Sequence, residues 1–449
     1  MENWYAFVVS SSMTFVVGLC FTLVFQGEYH QLQAKQLFLI TVFSWSGVSI
    51  FSSLPFIFCS DHFSITDAVF ESVSGITTTG STVLSNLDKM PEDILLWRSM
   101  LQWLGGIGII GMAIAVLPFL HVGGMRLFKT ESSDWSEKSH SRARDATKAL
   151  VYVYIFLSLL CALSYFIAGM PLFDAINHAM TTISTGGYST HDASFGYFNS
   201  VSIHWIAIVF MALGSMPFLV HVRFFSSLNI RVFGDYQILG FVSIISGVSL
   251  FTTMYLYFTY GYDLSESLTL AFFNITSIIS TTGYASTDYI AWGPAAIVLF
   301  FFITFIGGCS GSTSGGMKIF RFQLSYILLK EQITKTIHPR AVLPRYYGER
   351  TIDNEIIISA VAFTYLFLIT FALIALLLAM QGLDFMTSIS GAATALANVG
   401  PGLGEIIGPA GNFQTLPDAT KWILSAGMLL GRLELLTIVA VFSWQFWNT

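Results

Sequence analysis

The sequence predicts an all-α integral membrane protein. Its plan is four pseudo-symmetric repeats, each a helix, a short re-entrant helix and a second helix, plus one extra N-terminal helix. Three observations predict this. The 449 residues are 54% hydrophobic and only 10% charged, against roughly 25% charged in soluble domains. Uncharged apolar runs recur, such as 149–170 and 356–380, long enough to cross a ~30 Å hydrocarbon core as helices. One polar motif also returns four times, as Thr77-Thr78-Thr79-Gly80, Ser184-Thr185-Gly186-Gly187, Ser280-Thr281-Thr282-Gly283 and Ala397-Asn398-Val399-Gly400. Its last glycines recur at intervals of 107, 96 and 117 residues, a period that marks a duplicated module rather than a short solenoid repeat.

Taken in order, residues 1–34 supply the extra helix, over 4–26, and a polar turn. Repeat one, 35–121, has helices at 35–59 and 94–120, with a short amphipathic run at 67–76 ending in its motif. A charged loop, 122–148, follows. Repeat two, 149–225, has helices at 149–170 and near 201–220, and a short helix from Asp174. Repeat three, 226–333, has a helix at 238–260 and a short helix near 265–279. Its second helix, 295–306, runs into the glycine- and serine-rich stretch 307–316, where each glycine destabilises helix by up to ~1 kcal/mol. A basic loop, 334–352, leads to repeat four, 353–449, with helices at 355–380 and 422–446 and a short helix near 384–396. The four cysteines, Cys20, Cys59, Cys161 and Cys309, are scattered and read as small apolar side chains.

Charge sets orientation. Sixteen of the twenty Lys and Arg lie in 121–148, 221–235 and 317–352 or at Lys35, all opposite the four motifs. Basic residues stay in the cytoplasm. The motifs are therefore expected to open outward and the C-terminus to lie inside. Nine crossings would put the N-terminus outside. No cleavable signal peptide is evident, since Glu2 is acidic where a signal would be basic.

A dehydrated cation needs a cage of oxygens, which inward-pointing backbone carbonyls supply. The required angles are open to glycine, and threonine adds a hydroxyl. Irregular backbone at membrane depth is tolerated where it lines a wet cavity. One such motif alone is as readily an external turn; four, equally placed between helix pairs, read as the walls of a cation filter around one central pore. The filter residues are then Thr78, Thr79, Gly80, Thr185, Gly186, Gly187, Thr281, Thr282, Gly283, Asn398, Val399 and Gly400.

Glu71, His178 and Asn274 on the short helices are expected to hold the loops by hydrogen bonds. Asp192, Asp288 and Glu405 follow their motifs and either gather cations at the mouth or are ordinary solvated acids. The stretch with Gly307, Gly308, Gly311, Ser312, Thr313, Gly315 and Gly316 reads as an intramembrane loop beneath the filter that blocks or opens the path. Arg432 lies within an apolar span, where a central arginine costs ~2.5–3.5 kcal/mol. Glu434, two residues on, faces elsewhere on a helix and is no local partner. The GxGxxG run from Gly106 to Gly111 sits in an apolar span and reads as close helix packing, not a nucleotide loop. No clustered catalytic groups stand out, so neither a reaction nor an organic cofactor is expected.

Several stretches carry a family resemblance: LPFIF at 54–58, ITDAVFESVSGITTTGST at 65–82, LQWLGGIGII at 101–110, STGGYSTHDASFGYF at 184–198, FIGGCSGSTSGGMK at 305–318, ANVGPGLG at 397–404 and GRLE at 431–434. With them the chain resembles the Trk/Ktr/HKT superfamily of potassium transporters, most of all its bacterial TrkH branch, over nearly its whole length. The resemblance implies potassium uptake across the bacterial inner membrane, with potassium held at the filter residues. It implies a homodimer in lipid, a cytoplasmic nucleotide-binding partner of the TrkA type, and no nucleic-acid partner. It gives the 307–316 loop and Arg432 the role of gate. Sodium permeation or ion-coupled symport stays open, because one glycine per loop is thin evidence for potassium selectivity beside a TVGYG filter. Two departures stand out. Such chains commonly carry two helices before the first repeat, where this one has room for one, and the fourth loop has no threonine.

Overall fold

The computed structural model describes residues 3–25, 34–59, 63–115, 140–341 and 343–448, and elements are numbered along these. Most of the expected 122–148 loop lies outside them, as does the end of the 94–120 helix. The described chain is helical apart from one hairpin, β1 (Tyr346–Tyr347) paired antiparallel with β2 (Arg350–Thr351).

The first helix, α1 (Trp4–Val24), stands before a pattern that recurs four times. A long helix, a short buried helix and another helix follow one another. The short helices are α4 (Ile65–Ile76), α7 (Leu172–Ile183), α11 (Leu264–Ile279) and α15 (Phe385–Ala397). Before them run α2 (Ala34–Phe51) with α3 (Leu54–Phe58), then α6 (His140–Ile167), α10 (Tyr236–Tyr260) and α14 (Asn354–Met380). After them run α5 (Glu92–Ala115), α8 (Val201–Gly214) with α9 (Phe218–Ser227), α12 (Gly293–Ile303), and α16 (Asp418–Arg432) with α17 (Leu435–Phe442). The helix α13 (Ile319–Ile337) follows the glycine-rich stretch, and α18 (Trp444–Trp447) ends the described chain. Long helices leave large apolar side chains exposed, among them Phe15, Phe258 and Ile358, as a lipid-facing surface requires.

Three of the short helices begin on a side-chain cap. Ser64 accepts from Asp67 N at 3.0 Å, Asp263 from Ser265 N at 3.1 Å and Asp384 from Thr387 N at 3.1 Å. An acid there also complements the positive end of the helix dipole. The negative ends all point inward, toward the four motifs.

Two helices expected to be continuous are broken. The 201–220 helix ends at Gly214, and α9 leaves at 97° to it. Pro217 explains this, since it lacks an N–H and disfavours helix at the preceding residue. The 422–446 helix breaks at Leu433-Glu434 and turns by 109°, with Glu434 at φ 59°. Among the described residues six helices are long and apolar enough to cross a membrane, or eight when each bent pair is one span. The ninth expected crossing is the one interrupted by the glycine-rich stretch, where α12 has only 11 residues.

Candidate filter and gate

All four short helices end in the same backbone turn. The second residue before each closing glycine is left-handed: Thr78, Thr185, Thr281 and Asn398 have φ of 51°, 50°, 60° and 54°. The next N–H then reaches back five residues: Thr79 to Ser74 O at 2.9 Å, Gly186 to Thr181 O at 2.8 Å, Thr282 to Ser277 O at 2.8 Å and Val399 to Thr394 O at 3.1 Å. This is a Schellman closure. Glycine usually fills its left-handed position; Thr or Asn there costs roughly 1–2 kcal/mol. The sequence names these four as filter residues but assigns the unusual angles to the glycines rather than to them.

The closing glycines Gly80, Gly187, Gly283 and Gly400 have φ of 89°, 80°, 82° and 111°. Each abuts a carbonyl of the next loop. A Cβ on Gly80 would lie 2.2 Å from Gly186 O, one on Gly187 1.8 Å from Thr282 O, and one on Gly283 1.9 Å from Val399 O. A Cβ on Gly400 would lie 2.9 Å from Thr79 O, which returns to the first loop. Four contacts in this order close a ring, so all twelve expected filter residues converge on one axis.

Their oxygens are not equivalent. Gly186 O accepts from Gln102 Nε2 at 2.6 Å, and Gly400 O from Ser81 Oγ at 2.8 Å. Thr79 Oγ1 accepts from Asn398 Nδ2 at 2.9 Å. Thr78 Oγ1 and Asn398 Oδ1 are buried and without a hydrogen-bond partner among the described residues. Buried oxygens of this kind suit a bare cation, since leaving them unsatisfied is costly.

The loops are braced from behind at one repeated position, nine residues before each glycine. Glu71 accepts from Thr82 Oγ1 and Val83 N. His178 Nε2 lies 2.9 Å from Ser189 Oγ, and its Nδ1 lies 2.8 Å from Asp174 O. Asn274 Nδ2 donates to Ser286 Oγ at 2.8 Å and its Oδ1 accepts from Ser286 N at 3.2 Å. The fourth repeat has Gly391 there, and the neighbouring Ser390 Oγ accepts from Leu403 N at 2.9 Å. Thus Glu71, His178 and Asn274 do hold the loops. Arg98, Gln102, Tyr188 and Tyr284 join them and were not singled out in the sequence. Arg98 carried a signal, a charge inside an apolar span.

Above the ring lies a cavity of about 80 Å³, lined by the four glycines together with polar Arg98, His191 and Asp192 and with apolar Leu87, Ile407 and Phe413. Asp288 and Glu405 do not line it; Asp288 caps the turn Tyr289–Trp292 instead.

Below the ring, the stretch 307–316 is no surface loop. Thr313 is wholly buried, and its Oγ1 donates to Ile183 O at 3.0 Å and Gly214 O at 2.9 Å. Gly315 N donates to Thr281 Oγ1 at 2.7 Å, and Gly316 N to Ala397 O at 2.8 Å. Cys309 N bonds Ser215 O and Phe218 N bonds Gly311 O, so the loop also satisfies the open backbone of the α8–α9 break. Arg432 reaches it, with Nη1 donating to Thr313 O at 2.7 Å. Glu434 pairs with Arg321 at 2.7 Å, not with Arg432. Gly106, which opens the GxGxxG run, abuts the Tyr154 hydroxyl and Ser184, and Gly108 faces the Trp45 ring, which is helix packing.

Four buried loops that meet in one ring, within an apolar helical chain, fit a membrane transport protein rather than an enzyme. Residues 6–447 match the family model TrkH, described as a cation transport protein, and the chain belongs to this family. It is 49% identical to the Trk system potassium uptake protein TrkI of Halomonas elongata, over 93% of this chain and 85% of that one. It is 37% identical to TrkH of Salmonella typhimurium, over 94% and 88%. The crystal structure of the potassium transporter TrkH from Vibrio parahaemolyticus superposes with a TM-score of 0.90 at 34% identity, covering 99% of this chain and 92% of that one.

Proposed function

We propose that this protein takes potassium into the cell across the bacterial inner membrane, through a gated, channel-like pore. Potassium enters from outside and is held by the carbonyl and hydroxyl oxygens of residues 78–80, 185–187, 281–283 and 398–400. The stretch 307–316, tethered by Arg432, closes the path below them and moves aside to open it. The C-terminus and the basic segments face the cytoplasm, and a nucleotide-binding subunit of the TrkA type acts on the gate of a homodimer there. The named relatives support the ion, and the charge distribution supports the orientation.

The observation that carries this reading is the ring in which each closing glycine meets a carbonyl of the next loop. Its test is growth of a potassium-uptake-deficient bacterium on low potassium, paired with uptake into vesicles of purified protein. Wild type is expected to rescue growth and Gly187→Ala to fail, while still reaching the membrane. Full rescue by Gly187→Ala would refute the filter.

A further inference from the structure

We propose that Arg98, through Glu71, is a positioning residue that sets the cation preference of the filter from behind loops one and two. This rests on reading the four loops as a filter. Both side chains are 1% exposed, and Nε donates to Glu71 Oε1 at 2.7 Å. The rest of the guanidinium spans two loops. Nη1 donates to Ser189 O at 3.1 Å and Nη2 to Thr82 Oγ1 at 3.1 Å. Ser189 and Thr82 are each the second residue after a closing glycine, Gly187 and Gly80. Its Cζ lies 4.2 Å from the centroid of the Tyr188 ring, whose hydroxyl donates to Glu71 O at 2.8 Å. One rigid fork thus fixes equivalent points on adjacent walls.

Bracing alone does not require charge. Repeat three makes the same brace with neutral Asn274 and Ser286, and a buried ion pair carries a desolvation penalty that neutral groups avoid. What the fork adds is fixed geometry, because a planar guanidinium holds its acceptors at set angles where an ammonium's three donors rotate on a flexible stem. Discrimination between alkali ions depends on how firmly oxygens keep their spacing and number. Arg98 also borders the outer cavity with all four glycines, so Glu71 cancels a positive charge at a cation entrance.

The test uses purified full-length protein in lipid vesicles, with potassium and sodium uptake and thermal melting measured side by side. The variants are Arg98→Lys, Thr82→Val and the neutral double variant Glu71→Gln with Arg98→Gln. Arg98→Lys is expected to lower the potassium-to-sodium uptake ratio about ten-fold, the scale of one lost charge-assisted hydrogen bond. Thr82→Val, which keeps both charges and carries the test should the others misfold, is expected to lower it several-fold. The double variant is expected to lower the ratio at least as far as Arg98→Lys. Unchanged ratios in Arg98→Lys and Thr82→Val, with only a lower melting temperature, would reduce the pair to a structural role and overturn the proposal. Wild-type protein that takes up neither ion would overturn the filter reading itself, a result seen without any variant.

Discussion

At Gly187 a single methyl group would sit 1.8 Å from a carbonyl oxygen of the next loop. The same addition grows less severe around the ring: 1.9 Å at Gly283, 2.2 Å at Gly80 and 2.9 Å at Gly400. Alanine substitutions are therefore expected to reduce potassium uptake in that order, with Gly400→Ala the mildest; equal losses at all four would contradict the geometry. His191 offers a second residue-scale test. Its Nδ1 lies 2.5 Å from Asp88 Oδ1 and its Nε2 lies 3.3 Å from Asp174 Oδ2, so one imidazole ties repeat one to repeat two at the mouth. Burial alone would lower its pKa, but hydrogen bonds to the Asp174 and Asp88 carboxylates and their negative charge outweigh it, and the net shift is upward. A histidine that binds its proton more tightly when folded stabilises the protein fully below its ordinary value of about 6.5. That stabilisation is lost as pH rises through the raised native value. Melting temperature should fall between pH 6 and pH 8.5 in wild type, and less in His191→Gln; parallel curves would contradict it. At this scale the glycines were legible because they repeat. The left-handed Thr78, Thr185 and Thr281 were not, because sequence prices threonine out of that backbone region and only the surrounding closure enforces it.

At the scale of elements the proposed gate is the stretch 307–316. Its amides and hydroxyls bond the ends of α7, α8 and α15, so it cannot shift without leaving those groups open. Arg432 adds a charged tether to Thr313 O. A hydrogen bond to a charged group contributes about 1.5–3 kcal/mol, which is about ten-fold or more in a closed-to-open ratio. Arg432→Ala is expected to raise potassium flux in the closed condition by about that factor; wild-type flux would count against the tether. The glycine density announced this loop, and the buried Arg432 announced a partner. The broken helices were partly legible. Pro217 marks the α8–α9 bend, whereas nothing local marks the turn at Leu433-Glu434, where the ion pair of Glu434 with Arg321 arises from chain segments 113 residues apart.

The whole molecule is four copies of one idea made unequal. Hydropathy and the motif spacing showed four helix pairs with a short helix in each, since those signals are local and repeated. They could not show which oxygens stay open, because that depends on partners contributed by other repeats, such as Gln102 for Gly186 and Ser81 for Gly400. The asymmetry has a location: a Cβ has most room at Gly400, 2.9 Å from Thr79 O, and the side chains of Asn398 and Ser81 bridge that fourth-to-first seam. The most direct measurement of the filter claim is anomalous diffraction from crystals grown with rubidium in place of potassium. The account predicts peaks on the axis shared by residues 78–80, 185–187, 281–283 and 398–400, above Thr313. Rubidium found only away from that axis, with the four loops holding none, would contradict it.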